Sequence, residues 1–360
     1  MTTENNNLLN SFKSNLKIDL SLFEGNTLLE EKEFTTLKIW NSPDNEYSPF
    51  PSTILFKRED NNPTGSFKDR SLSYELSYKL GNGIKSFAIS SSGNAALSAS
   101  EYLSKNIEKL EKLGFKVKLK VFVSENLSKE KLLKLKSYEN STNIDVLNIE
   151  IESSLKPTSN CIKYCNTSGA FNLRASDDDN AIVGYLGIGE ELANIEFDSI
   201  FTTTSSGTSA IGIYLGYLIA KYPEYFKDIN TNDGFKLQEY MDKLISIPNI
   251  SLPKLYICQT TKVHPIAGKF DIDYTDSPTS VISCVVDRIA SRKEDLIKVI
   301  WTSRGLGYVI SDNDIHESTQ ILNDNEVKIP LNSTCAFSGL IKSLKTGNII
   351  KRPLIIVSGN

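Results

Sequence analysis

Lys68 has the clearest chemical setting in this sequence, inside the run Asn61-Asn62-Pro63-Thr64-Gly65-Ser66-Phe67-Lys68-Asp69-Arg70. Asn-Pro-Thr-Gly is turn chemistry, and Ser66 is a natural N-cap for a helix that follows. A lysine in the first turn meets the positive end of the helix dipole and free backbone N–H groups, both of which disfavour a cation. A neutral amine is a nucleophile towards carbonyls. Taken alone, Lys-Asp-Arg at a helix start is more often a solvated face, because charged residues are mostly exposed. A second setting is Ser205-Ser206-Gly207-Thr208-Ser209, which ends one strand and opens a helix. Backbone N–H groups and hydroxyls converge at such a turn, as a bound phosphate requires, although most Ser/Thr/Gly turns are only turns. A third is Ser91-Ser92-Gly93-Asn94, where helix-start amides suit an anion and Asn94 serves equally well as an N-cap.

Other residues carry less. His264 and His316 are far apart without ligand spacing, so no metal is expected. Gly81-Asn82-Gly83-Ile84-Lys85-Ser86 precedes a strand pattern rather than a helix and lacks the Gly-Lys-Ser/Thr of a nucleotide loop. The five cysteines (Cys161, Cys165, Cys258, Cys284, Cys335) form no Cys-x-x-Cys pair, which indicates neither a disulfide framework nor a zinc site.

The elements that must position these groups alternate along the chain. Thr53–Arg58 has strand composition, and beyond Ser66 the residues Phe67, Leu72, Leu76 and Leu80 line one helical face that Gly81 stops. Lys85–Ser90 reads as a buried strand feeding a helix from about Ala95, and strands near Lys116–Val123 and Ile144–Ile149 flank a helix over Ser128–Tyr138. From about Asn166 the pattern continues: a helix over Ile182–Glu191, the strand Ser199–Thr203, a helix through Leu218, and the strand Lys254–Cys258. Helices over Asp312–Leu322 and Thr334–Leu344 and a last strand, Leu354–Val357, complete it. Strands alternating with helices imply parallel sheets covered by helices.

With 360 residues and a formal net charge of −4, the chain is long enough for two domains and gives no reason to expect nucleic acid. The lysines between Lys105 and Lys136 are interleaved with Leu and Glu, the pattern of a solvated face. The first residues lack the basic and apolar regions of a secretory signal, and no apolar run approaches a membrane span, so a cytoplasmic location and no membrane partner are expected.

The run Asn62–Arg70 resembles the cofactor-lysine motif of fold-type II pyridoxal 5′-phosphate (PLP) enzymes, which include threonine synthase, serine and threonine dehydratases, cysteine synthase and the tryptophan synthase β chain. Glu24-Gly25-Asn26-Thr27-Leu28-Leu29 resembles the Glu-Gly-x-Thr-Pro-Leu segment of the same superfamily, with Leu28 where proline is usual, and Gln259 and His264-Pro265 fall as in the family. The likeness spans about residues 22–360. It implies an α/β fold of two open three-layer domains with parallel-rich sheets and PLP in the cleft between them. The larger domain would comprise 1–80 and 167–360, and a smaller inserted domain 81–166.

By this resemblance Lys68 forms the Schiff base with PLP and then acts as general base at the substrate α-carbon. Ser205, Ser206, Gly207, Thr208 and Ser209 would hold the cofactor phosphate, although the usual loop is richer in glycine. Asn94 would bond the ring hydroxyl, and Ser91, Ser92 and Gly93 would grip the substrate carboxylate. Ser358 would face the pyridine nitrogen; a hydroxyl there makes the ring a weaker electron sink and favours elimination and replacement. Threonine synthases continue beyond that point, where this sequence ends at Asn360, so closure of the site is expected to differ.

Ser91-Ser92-Gly93-Asn94-Ala95-Ala96 followed by Ser98–Tyr102 is most similar to threonine synthase, and Arg174 falls near the arginine that in those enzymes binds the substrate phosphate. The comparable Gly-Gln-Lys-Thr is here Gly184-Tyr185-Leu186-Gly187, behind a spacer, Asp177–Gly184, that resembles the dehydratases. The implied activity is that of threonine synthase, O-phospho-L-homoserine and water giving L-threonine and phosphate. A serine/threonine dehydratase or β-replacement synthase is the alternative, and a non-catalytic PLP-binding relative the third. The expected partner is a small amino-acid substrate, and a homodimer the assembly to consider.

Overall fold

The computed structural model describes residues 8–34, 50–91, 93–141, 143–231, 234–247 and 252–359. In chain order the strands among them are β1 Leu29–Glu33, β2 Thr53–Lys57, β3 Ser86–Ser91, β4 Val117–Ser124 and β5 Leu147–Ser154, then β6 Phe171–Asn172, β7 Ser199–Thr203, β8 Lys254–Thr260, β9 Leu306–Ile310 and β10 Pro353–Ile356. The chain divides into two compact units. One comprises Met1–Gly25, Asn62–Gly187 and Asn230–Lys236; the other comprises Asn26–Asn61, Ile188–Ile229 and Leu237–Asn360. The fold is α/β, with a parallel-rich sheet in each unit.

The first unit carries a four-stranded sheet of order β5-β4-β3-β6, parallel throughout. Alternation in β4 buries Val117, Leu119 and Val121 while Lys118 and Lys120 face outward, where they meet Glu150 of β5 at 3.0 and 3.2 Å. These cross-strand ion pairs account for part of the lysine-rich stretch. Helix Lys68–Gly81 packs on this unit's core, with Leu72, Leu76 and Leu80 buried beside Phe87, Ile89 and Leu119.

That helix is buried on its polar side as well, so its serines must find partners inside. Ser71 Oγ donates to the Ala181 carbonyl at 2.7 Å, while Ser77 Oγ donates to Ser73 O at 2.6 Å and accepts the Leu20 N–H at 2.9 Å. Helix Asn180–Leu192 crosses so closely that a Cβ on Gly184 would lie 1.9 Å from the Arg70 carbonyl oxygen. Only glycine permits that approach.

The second unit carries a six-stranded sheet of order β1-β2-β10-β7-β8-β9, with β1 antiparallel and the rest parallel. β7 and β10 are central and buried along their whole length, which is why β10 reads as a short continuous apolar run and β7 as one rich in β-branched and aromatic residues. β1, Leu-Glu-Glu-Lys-Glu, has poor strand propensity and exists through its pairing with β2; charges of this kind are tolerated on an edge. Helix Leu331–Lys345 covers one face with Cys335, Phe337, Leu340 and Leu344, and Phe337 stacks on Phe34 and Phe56. Among the described residues no helix is long and apolar enough to cross a membrane.

Candidate functional site

The lysine motif lies in the first unit. Helix Lys68–Gly81 begins with Lys68 itself, one residue later than a Ser66 cap would give: Phe67 is the N-cap, and Ser66 Oγ accepts the Lys68 N–H at 3.4 Å from one position further out. The turn before it is tied down by Asp69, whose carboxylate accepts the Thr64 N–H at 2.6 Å and the Thr64 hydroxyl at 2.5 Å. Burial pushes the Asp69 carboxyl up to about 6, against the pull of the Thr64 bonds, and the Glu24 charge adds to the rise.

The Lys68 ammonium group is not locked in an ion pair with any described residue. Its Nζ lies 3.2 Å from the Tyr185 hydroxyl, 5.1 Å from the Phe67 ring centre and 5.7 Å from that of Tyr185. Tyr185 was invisible from sequence as a partner, because 117 residues separate it from Lys68.

The Ser91–Asn94 turn, in the same unit, joins β3 to helix Asn94–Lys105. Ser91 Oγ accepts the Gly93 N–H at 2.9 Å and the Ala96 N–H at 3.3 Å, so this hydroxyl already braces the turn. Gly93 has φ 130°, which favours glycine, and Asn94 opens the helix as its first residue instead of capping it. Asn94 Oδ1 accepts from Lys131 Nζ at 2.9 Å, a cation that lies 37 residues away in the chain. Ser92 lies outside the described residues. Arg174 is elsewhere in this unit, its Nη1 3.7 Å from Asp177 Oδ2, and the next acid, Asp178, pairs with Lys79 at 2.5 Å.

The Ser205–Ser209 turn and Ser358 belong to the second unit, at the carboxyl ends of neighbouring parallel strands. Ile355 of β10 faces Phe201 of β7, so both chains leave the sheet on the same edge, where open α/β sheets bind ligands. Gly207, with φ 99°, turns the chain into helix Thr208–Lys221 and donates its N–H to Thr204 Oγ1 at 3.2 Å. The N–H groups of Thr208, Ser209 and Ala210 then open the helix with no intrahelical acceptor.

Ser206 and Thr208 hydroxyls lie 3.1 Å apart, whereas Ser205 Oγ accepts N–H groups of Val286 and Asp287 at 3.0 and 2.9 Å and so anchors the following loop. Gln259, fully buried, donates to the Thr204 and Ser205 carbonyls at 3.3 and 3.0 Å and accepts the Ile266 and Ala267 N–H groups at 2.9 Å, which fixes the turn from behind. Ser358 is 5% exposed, and its hydroxyl has no hydrogen bond to a described residue. An anion held at the helix start and a polar ring atom at Ser358 would satisfy these groups.

Residues 36–359 match the family described as pyridoxal-phosphate dependent enzyme. No curated protein sequence matches the chain. Among solved structures it is similar to an O-acetylserine dependent cystathionine β-synthase from Helicobacter pylori, at 16% identity and TM-score 0.62 over 93% of each chain. It is also similar to the serine racemase of Dictyostelium discoideum, at 18% identity and TM-score 0.57 over 85% of this chain and 86% of that one. A threonine deaminase isoform from Solanum lycopersicum matches at 13% identity and TM-score 0.56, over 85% and 78%. At these identities the likeness is one of fold, the fold-type II architecture of the tryptophan synthase β chain.

Proposed function

We propose, since this chain belongs to the pyridoxal-phosphate dependent enzyme family and takes PLP as its cofactor, that it is an amino-acid lyase working by proton removal at Cα and loss of a group from Cβ. The residues present fit that cofactor: a lysine amine outside any described ion pair, a helix start with open N–H groups, and the hydroxyl of Ser358. Lys68 would carry it, Thr208 and Ser209 with Ser206 would hold its phosphate at the turn that Gly207 makes, Asn94 would bond its ring hydroxyl, and Ser358 would face its pyridine nitrogen. Ser205 would contribute through its backbone, because its hydroxyl is already engaged by the 286–287 amides. When bound, PLP supplies the electron sink that makes the Cα proton of an amino acid removable.

The single observation that carries a lyase reading is Ser358, a neutral hydroxyl at the end of a central strand, in the role that the resemblance assigns to the ring-nitrogen partner. The protein's own groups then have defined tasks. The helix start that follows Gly93 holds the substrate carboxylate, Lys68 Nζ takes the proton from Cα, and the bond from Cβ to its hydroxyl breaks with release of water. Hydrolysis of the resulting enamine gives an α-keto acid and ammonia.

An unphosphorylated substrate, serine or threonine, is the better supported class, because the Arg174 guanidinium faces Asp177 and the Gly-Gln-Lys-Thr of threonine synthases is here Gly184-Tyr185-Leu186-Gly187. O-Phosphohomoserine is the second reading, favoured by the run Ser91–Tyr102. Purified protein offered each compound separates them. Keto acid from serine or threonine supports the dehydratase reading, and phosphate release from O-phosphohomoserine supports the threonine synthase reading. Neither product, with PLP still bound, leaves the β-replacement synthase and the binding-only relative.

A further inference from the structure

Tyr185 is completely buried, and among the described residues its hydroxyl has one hydrogen-bond partner, the Lys68 amine at 3.2 Å. A buried phenol needs such a partner. Its ring meets Phe67 edge-on with centroids 5.3 Å apart, so the two aromatics wall in the amine and the hydroxyl is the polar spot in that wall. The phenol has little room to move away. Gly184 beside it is pressed against the Arg70 backbone, and the Ser71 hydroxyl holds the Ala181 carbonyl one turn earlier at 2.7 Å, so the helix bearing Tyr185 is fastened to the first turn of the helix bearing Lys68.

We infer that Tyr185 is a positioning residue for Lys68, keeping its amine in one place through both halves of the proton transfer. The inference rests on Lys68 being the cofactor lysine. A hydroxyl has both a proton and lone pairs. It accepts a hydrogen bond from Lys68 when the amine carries the proton taken from Cα, and donates one when the amine is neutral. Lysine is otherwise a long flexible chain with several rotamers, and an amine spread over them meets the α-carbon less often. The proton moves between Cα and Lys68 Nζ; Tyr185 keeps its own.

The test is Tyr185→Phe, which removes one oxygen and keeps the ring against Phe67. Three readouts are needed alongside the melting temperature, which is expected to stay within a few degrees. In protein stripped of cofactor and mixed with PLP, covalent capture at Lys68, followed by absorbance and by borohydride quenching, should slow about five- to tenfold. In the loaded enzyme kcat should fall roughly ten- to a hundredfold with KM changed less than about threefold. With α-deuterated serine or threonine the isotope effect on kcat should rise, a change that a merely structural role would not produce. Equal capture rate, kcat and isotope effect in both proteins, with the adduct on Lys68, overturn this inference alone. An adduct absent from Lys68 in the wild type overturns the lysine assignment and this inference with it.

Discussion

Gly184→Ala should be one of the most damaging single-methyl additions in this protein. The new Cβ would sit 1.9 Å from the Arg70 carbonyl oxygen, 2.3 Å from its carbonyl carbon and 2.6 Å from the Ser71 nitrogen. Van der Waals contact needs about 3.5 Å, so the two helices must part by roughly 1.5 Å, and no side chain can swing aside because the obstructing atoms are backbone. Overpacking of this kind costs about 1–3 kcal/mol or more, and losing the Ser71 to Ala181 hydrogen bond adds about 1. We expect a loss of ~3 kcal/mol in urea unfolding of the cofactor-free protein, together with slower capture of PLP, because Tyr185 is carried away from Lys68. Gly187→Ala, on the same helix, is the internal control: its Cβ would meet the end of the Leu9 side chain at 2.7 Å and Arg70 Nη1 at 3.3 Å, both able to move, so about 1 kcal/mol or less is expected. Equal losses in the two variants, or less than about 1 kcal/mol for Gly184→Ala, would refute the claim that this crossing fixes the lysine helix.

Three further expectations can be checked alongside. Burial raises Asp69 from 3.8 to about 6, so between those values the folded protein holds a proton that the unfolded chain has released, and stability falls as pH rises through that window by about 3 kcal/mol. Asp69→Asn should remove that part of the pH slope in unfolding measured from pH 4 to 7; an unchanged slope counts against it. Arg174→Ala should leave keto-acid formation from serine or threonine within about threefold of wild type, since the guanidinium serves Asp177; a loss confined to O-phosphohomoserine would revive the phosphorylated substrate. Ser358→Ala should fold normally and release PLP about tenfold more readily on dialysis, the effect of about one lost hydrogen bond, and equal retention would contradict its placement at the cofactor.

The lysine helix, the β7 turn and β10 could be located from sequence because buried parallel strands are short runs of apolar and β-branched residues and the turns between them carry Gly, Ser and Thr. β1 was hidden because four of its five residues are charged and only its partner strand makes it extended. β9 sits directly behind Arg304 and Gly305, with Arg304 at φ 58°, so its five residues look like the tail of the helix before it. Helices Pro157–Ser168 and Lys293–Ser303 were likewise not expected from the sequence.

The side-chain duties were less legible than the backbone. Ser91 and Ser205 have the right type and place to touch a ligand, yet both hydroxyls accept backbone N–H groups, and the donors to Ser205 come from 81 and 82 residues away. Tyr185 and Lys131 reach the motif residues across 117 and 37 residues, distances over which spacing in the chain carries no signal. Asp69 reads as a solvated acid beside Lys68 and is instead a buried clamp on Thr64.

Borohydride reduction of the PLP-loaded protein, followed by peptide mapping, decides whether Lys68 is the cofactor lysine. One pyridoxyl adduct is expected, on the peptide containing Lys68, and none in Lys68→Ala. An adduct on another lysine, or a coloured protein from which reduction traps nothing at Lys68, would contradict it.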